Sequence, residues 1–333
     1  MDRPDILIWH QGALGDLLLA GPALLAVRRR YPRARLIGLG HPERWRLLSL
    51  TLSLDGVWDS GESRLAQLFS PGPISPELRS CLSPFQLAVV FSPNRQSPVP
   101  ERLRQAGIPT VHWAPSFPEG GREAVGALQA RHLAGLGFNV ETGSFRLSLP
   151  ENPGEAELAA FSGIATWLAV APGSGQPAKN WPLSHYYETS RALAWEYQMG
   201  VVWLAGPAEA AAAPYLAALA TAQGHVFLTG ANLSRVAAVL SRCRLFLGND
   251  SGLTHLAAAL GGPRVVALFG PTNPEVWAPP GEQVRILTGP CPQAPCARGR
   301  EIPCPEPQCL RDLSPEQVLE VAGEILSAGL KVG

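Results

Sequence analysis

Ten short apolar runs, each ending in small or polar residues, constrain the fold of this 333-residue chain more than any other feature. They are Ile6–His10, Leu36–Leu39, Leu87–Phe91 and Thr110–Trp113 in the first half. The second half holds Trp167–Ala171, Val201–Ala205, Val226–Thr229, Leu245–Gly248, Val265–Phe269 and Val284–Leu287. Hydrophobic residues in these runs are consecutive rather than alternating, so strands formed from them need cover on both faces. Helical patterns separate the runs, and the combination predicts an α/β chain of parallel sheets in Rossmann-like domains. The length exceeds what one hydrophobic core comfortably serves. Leu149-Pro150-Glu151-Asn152-Pro153-Gly154 interrupts regular structure, so the expected domains are 1–150 and 151–333. Ligand sites in such folds gather at strand carboxyl ends, and the motifs of both domains are expected to face one cleft. A helix over Pro315–Ala328 is expected to close the chain.

Charge narrows the function classes. Formal net charge is zero and charged residues make up 16%, which argues against a nucleic-acid binder driven by counterion release. Any anion site must therefore be local. The apolar segment Leu17–Val27 is followed, not preceded, by Arg28, Arg29 and Arg30, and no run reaches the roughly 18 to 20 apolar residues of a membrane span. The expectation is a soluble, cytoplasmic protein.

Lys179 is the most informative single residue. It lies in Ala171-Pro172-Gly173-Ser174-Gly175-Gln176-Pro177-Ala178-Lys179-Asn180-Trp181-Pro182, at the exit of an apolar run, and the only other lysine is Lys331. Small residues let backbone N–H groups approach an anion, a following helix start adds its positive dipole end, and lysine adds a point charge. That reads as a phosphate grip; the competing reading is a turn-forming loop with a solvated lysine. Gly12-Ala13-Leu14-Gly15-Asp16 follows the first strand and places Asp16 at a strand-to-helix turn, where helix capping and chemistry fit equally. A third segment, Leu245 to Leu260, carries Asn249-Asp250-Ser251-Gly252 and His255 and is followed by Val265 to Pro274. Its polar groups suit a sugar, ribose or phosphate, or else one more capped helix with His255 packed in the core.

In this order and spacing the three segments resemble glycosyltransferase family 9, the lipopolysaccharide heptosyltransferases. The likeness is densest from Ala171 to Trp277 and in the first forty residues. It implies a GT-B architecture, transfer with inversion, and a nucleotide-diphosphate sugar as co-substrate without a further cofactor, with ADP-heptose as donor and a lipopolysaccharide inner-core glycan as acceptor. It further implies that Asp16 is the general base of an N-terminal acceptor domain, with Gly12, Gly15 and His10 on the acceptor side. Lys179 and the backbone at Gly173, Ser174 and Gly175 would stabilise the diphosphate from a C-terminal donor domain. Asp250, Ser251, Gly252 and His255 match the family's other donor motif, and Glu209 stands where members place a ribose-binding glutamate. The alternative for Glu209 is a solvated carboxylate at a helix start. The chemistry needs an ionised base and cationic or N–H groups around the departing diphosphate. No Asp-x-Asp pair occurs, so the usual carboxylate device for Mg²⁺ or Mn²⁺ is missing and metal-independent transfer is expected.

Two departures from the family bear on the acceptor: His10 stands where relatives carry arginine, changing the charge of the pocket rim, and Asn273 stands where they carry aspartate. Cys291-x4-Cys296-x7-Cys304-x4-Cys309 suits reduced or reversibly paired thiols, with zinc as the lesser reading. Arg28, Arg29, Arg30, Arg33 and Arg35, expected near the end of the first helix, suit either peripheral contact with the inner membrane or a helix dipole. A nicotinamide oxidoreductase is disfavoured, because the first turn is G-x-x-G-D and no acidic residue ends the second strand. A nucleotide-sugar epimerase of similar fold and a non-catalytic sugar-nucleotide binder remain as alternatives.

Overall fold

The computed structural model describes residues 3–120, 122–141, 143, 145–150, 163–206, 209–210, 212–222, 224–298, 301–304 and 306–328. Its contacts divide the chain into Met1–Leu149 and Pro150–Gly333. Residues 151–154 of the expected break, together with Lys331, lie outside the described residues.

The first unit holds β1 (Asp5–His10), β2 (Arg35–Gly40), β3 (Gly56–Asp59), β4 (Phe85–Ser92) and β5 (Thr110–Pro115). All pair in parallel in the order β3-β2-β1-β4-β5. β6 (Trp167–Ala171), β7 (Gly200–Ala205), β8 (Val226–Thr229), β9 (Leu245–Asn249), β10 (Arg264–Phe269) and β11 (Val284–Thr288) form the sheet of the second, ordered β11-β10-β9-β6-β7-β8. Counted from its own first strand, each sheet has the Rossmann order, whose connection reverses direction between first and fourth strands. In the second unit those strands are β6 and β9, which pair directly, Ala171 opposite Gly248.

All ten expected strands are present. The continuous apolar runs of the inner strands are buried on both faces, as in β6, where every residue is buried, while the edge strands β5, β8 and β11 are only part-buried. β3 was not foreseen: Gly-Val-Trp-Asp is a part-buried edge strand with two apolar residues, too short to show a pattern. The apolar segment expected as one helix is two, Leu14–Leu19 and Gly21–Arg30. Pro22 explains the break, since proline fits the first turn of a new helix and not the interior of a continuing one. The arginine cluster consequently begins in the last turn of the second helix, not at the end of the first. Among the described residues no helix is long and apolar enough to cross a membrane.

Trp181, Tyr186 and Trp203 fill the core of the second unit together with Leu313 and Val318 from the terminal segment. Trp181 donates its indole N–H to the Leu313 carbonyl at 2.9 Å, which satisfies the one polar group this ring buries. The expected final helix is there, over Pro315–Ala328.

Candidate functional site

Residues from four strand ends of the second unit meet at the β6/β9 switch. The loop after β6 runs from Pro172 to Trp181 and includes a 3-10 turn, Pro177–Lys179. Its next helix begins only at Leu183, so Lys179 precedes the helix start by a few residues instead of opening it. The Lys179 ammonium donates to Asp250 Oδ2 at 2.8 Å, and the Thr272 hydroxyl donates to the same oxygen at 2.7 Å. Asp250 is 8% exposed and Lys179 22%, so the pair is sheltered with its cationic side the more open.

Loop geometry is set by polar side chains. The Ser174 hydroxyl lies 2.7 Å from both the Gln176 carbonyl and Asn180 Oδ1 and can donate to one at a time. Asn249 bonds to Pro172 O and the Trp181 N–H. Glu209, beyond β7, accepts the Gly206 N–H at 2.6 Å and lies against Gly173, where any β-carbon would overlap its carboxylate. It is half-buried and pinned, not a solvated carboxylate; Pro207 and Ala208 beside it lie outside the described residues.

Ser251 precedes the helix Gly252–Leu260 with its hydroxyl 3.4 Å from Thr254 Oγ1. His255 on that helix is buried, and burial drives its pKa down to about 4 against the opposing pull of Asp250. It is therefore a neutral imidazole packed beside the site. Asn273 caps the short helix Pro274–Trp277 by accepting the Glu275 N–H at 3.0 Å, a task aspartate performs equally well.

A separate constellation follows β1. Asp16 accepts the Ala13 N–H at 3.0 Å, so its carboxylate caps the helix Leu14–Leu19. Gly12 donates its N–H to His10 Nδ1 at 3.2 Å and accepts from Arg44 Nη1 at 2.9 Å. A β-carbon on Gly12 would come within 2.6 Å of His10 Cε1 and 2.8 Å of Asp16 Cβ, so glycine is what lets both side chains lie against the turn. Gly15 is buried in the first helical turn. His10 is 1% exposed, and burial lowers its pKa to about 4, so a neutral buried ring stands where the resemblance puts an arginine. It contributes no charge at neutral pH, and its Nε2 has no hydrogen-bond partner among the described residues.

Thr272, Asn249, Asn180 and Arg44 were not singled out in the sequence. Thr272 sits in Gly270-Pro271-Thr272-Asn273, inside the third motif, and a hydroxyl directly after a strand-ending Gly-Pro was the available signal.

The four clustered cysteines are unpaired. Burial, with the neighbouring thiols adding, raises the Cys309 thiol to about 11 and raises Cys296. Among the described residues no group of three or more His, Cys, Asp or Glu side chains is arranged to hold a metal ion, so Cys291, Cys296, Cys304 and Cys309 form no ready-made zinc site. Three of the arginines are engaged within their own unit: Arg28 bonds the Leu52, Ser53 and Ala34 carbonyls, Arg29 pairs with Glu141, and Arg35 with Asp5. Arg28, Arg29 and Arg30 occupy the last turn of their helix, as the dipole reading expects.

A family model described as glycosyltransferase family 9 (heptosyltransferase) matches residues 118–307, more than half of the chain. The chain belongs to glycosyltransferase family 9. Among family-9 relatives, lipopolysaccharide heptosyltransferase 2 of Escherichia coli strain K12 is 34% identical over 168 residues, 48% of this chain and 46% of that protein. Lipopolysaccharide heptosyltransferase 1 of Pseudomonas aeruginosa is 32% identical over 179 residues, 51% and 49% of the two chains. The chain spans about half the length of the curated relatives it matches. Two solved structures extend the likeness to the whole fold. E. coli ADP-heptose lipopolysaccharide heptosyltransferase II superposes with a TM-score of 0.73 at 23% identity, over 98% of this chain and 99% of that one. A family-9 glycosyltransferase from Veillonella parvula gives 0.75 at 19%, over 98% of each. The fold class of this family-9 chain is accordingly GT-B, with two Rossmann-like units.

Proposed function

We propose that the chain is an inverting, metal-independent glycosyltransferase that moves heptose from ADP-heptose to a lipopolysaccharide inner-core or related glycan acceptor. The observation that carries this reading is the sheltered Lys179–Asp250–Thr272 cluster at the switch of the second sheet, beside a glycine loop with Glu209 against it. Rossmann sheets bind nucleotides at that point. Donor and acceptor are carried over from relatives whose names specify ADP-heptose and lipopolysaccharide.

In this reading the N–H groups of the Pro172–Trp181 loop and the Lys179 ammonium take up the charge that develops on the departing diphosphate. Asp250 and Thr272 aim the ammonium. Glu209 receives the ribose. Asp16 accepts the proton of the attacking acceptor hydroxyl. Attack on the face opposite the diphosphate inverts the anomeric centre. Metal independence rests on the absence of an Asp-x-Asp pair and on a lysine standing where the leaving-group charge forms. Cytoplasmic placement and contact with a membrane-bound acceptor belong to the same proposal.

The test is ADP release from ADP-heptose with and without a truncated inner-core acceptor, for the wild type and Asp16→Asn. Acceptor-dependent release that persists in EDTA and disappears in the variant is expected. Release that needs added Mg²⁺ would sink metal independence, and no release from folded protein would sink the choice of donor or acceptor. Epimerisation of the donor without acceptor would move the chain to the epimerase alternative.

A further inference from the structure

The last residue of β9 and the one after it, Asn249 and Asp250, act on one loop in different ways. Asp250 takes the ammonium of Lys179. Asn249 takes both ends of the loop: its Nδ2 donates to the Pro172 carbonyl at 2.7 Å, and its Oδ1 accepts the Trp181 N–H at 2.9 Å. Ten residues, 172–181, are thus closed on one carboxamide, in the manner of a compact Ω-loop whose ends meet. Asn249 is fully buried, and its own carbonyl accepts the Thr254 hydroxyl, which ties the strand end to the helix Gly252–Leu260. Because Ala171, the last residue of β6, pairs with Gly248, Pro172 is the first residue past the ladder and Asn249 stands across from it.

Few side chains fit this position. Donor and acceptor are needed on one short planar head: Ala supplies neither, ionised Asp supplies two acceptors, and Gln is a methylene too long. A protonated carboxyl is the one isostere that offers both. We infer that Asn249 is a positioning residue for the nucleotide, fixing the span of the 172–181 loop so that Lys179 and the N–H groups from Gly173 to Gly175 converge on the diphosphate. The inference deepens the donor-site reading above and rests on it. Asn249 itself is buried behind the loop and acts through it.

ADP affinity, measured by calorimetric titration for the wild type, Asn249→Ala and Asn249→Asp, tests the inference. Asn249→Ala is expected to weaken ADP about tenfold at every pH, as displaced binding groups do. Asn249→Asp is expected to be as weak near about pH 8 and to recover towards the wild type by about pH 5.5: Asp250 pairs with the opposing Lys179 ammonium, His255 is neutral, and a desolvated carboxyl there gains its proton early and with it a donor for Pro172. Taking each variant's affinity as a ratio to the wild type removes the titration of ADP itself. A buried asparagine that only supports the fold would show no such acid recovery. Hydrogen exchange on nucleotide-free protein supplies the second arm: peptides over 172–181 should exchange faster in both variants at alkaline pH, with β6 and β9 unchanged. Wild-type affinity in Asn249→Ala, no acid recovery in Asn249→Asp, or unaltered loop exchange would each overturn the inference. Failure of the wild type to bind ADP would instead refute the donor reading, and the exchange comparison would still decide whether Asn249 holds the loop.

Discussion

Lys179 has three N–H bonds to give, and one of them goes to Asp250. That single contact separates it from the solvated lysine a glycine-rich loop alone suggests, and it makes loss of the lysine a stability question as well as a binding one. Lys179→Ala leaves the nearly buried Asp250 carboxylate leaning on Thr272, at a cost of about 1 to 3 kcal/mol for an under-satisfied buried group. Adding Asp250→Asn should restore the denaturation midpoint without restoring ADP affinity. If the double variant regained nucleotide binding, Lys179 would be structural only. Asp16 presents the same question in the other unit, where capping and chemistry were both open on the sequence and the structure shows the cap. An asparagine Oδ1 can accept the same Ala13 N–H but cannot take a proton. Asp16→Asn should therefore leave the melting temperature near wild type and keep ADP affinity, while steady-state turnover falls by about 10²- to 10⁴-fold, the usual worth of a general base. A loss of stability without loss of turnover would leave capping as its only task.

At the scale of elements, the strands were legible because a strand covered on both faces needs an unbroken apolar run, and a run such as Trp167–Ala171 has no competing explanation. β3 was not, because its four residues at a sheet edge bury only part of themselves. The two-helix structure of residues 14–30 was written in Pro22 but obscured by the apolar residues around it. Site residues followed the same division. Small residues after a strand mark a turn on their own, whereas the partnership of Lys179 with Asp250 spans 71 positions and depends on which loops meet. Asn249 and Arg44 act through such meetings and nothing local distinguishes them, while Thr272 carried only the signal of a hydroxyl after Gly270-Pro271. The loop after β6 gives a contrast that tests its packing. A β-carbon at Gly173 would overlap the Glu209 carboxylate, while one at Gly175 meets nothing within 4 Å. Gly173→Ala should push Glu209 aside and weaken ADP about as much as Glu209→Ala, whereas Gly175→Ala should bind within about twofold of the wild type, a change below about 0.4 kcal/mol. Equal effects at the two glycines would mean that loop flexibility, and not the place kept for Glu209, is what the motif supplies.

At the scale of the whole molecule, each unit buries one histidine beside its motif: His10 at the end of β1 and His255 next to Asp250. Burial holds both near pKa 4, so both are neutral when the protein works at neutral pH. In the unfolded chain each imidazole returns to about 6.5 and binds the proton that the folded state refuses. Between about 6.5 and 4 the unfolded state therefore carries more protons, and stability rises with pH. The contribution of each histidine is complete above about pH 6.5 and is lost progressively as pH falls towards 4, on the order of 3 kcal/mol at full extent. Both units should weaken over the same window, ahead of ordinary carboxylate protonation, which belongs nearer pH 4. Urea denaturation at pH values from neutral to about 5 is expected to show this fall, and His10→Gln should flatten the share belonging to the first unit while the second keeps its slope. A flat profile across that range would mean that the imidazoles keep their protons in the folded protein. His10 would then become a cation below about pH 6.5, and its place beside Gly12 and Asp16 would have to be reinterpreted there as an ion pair.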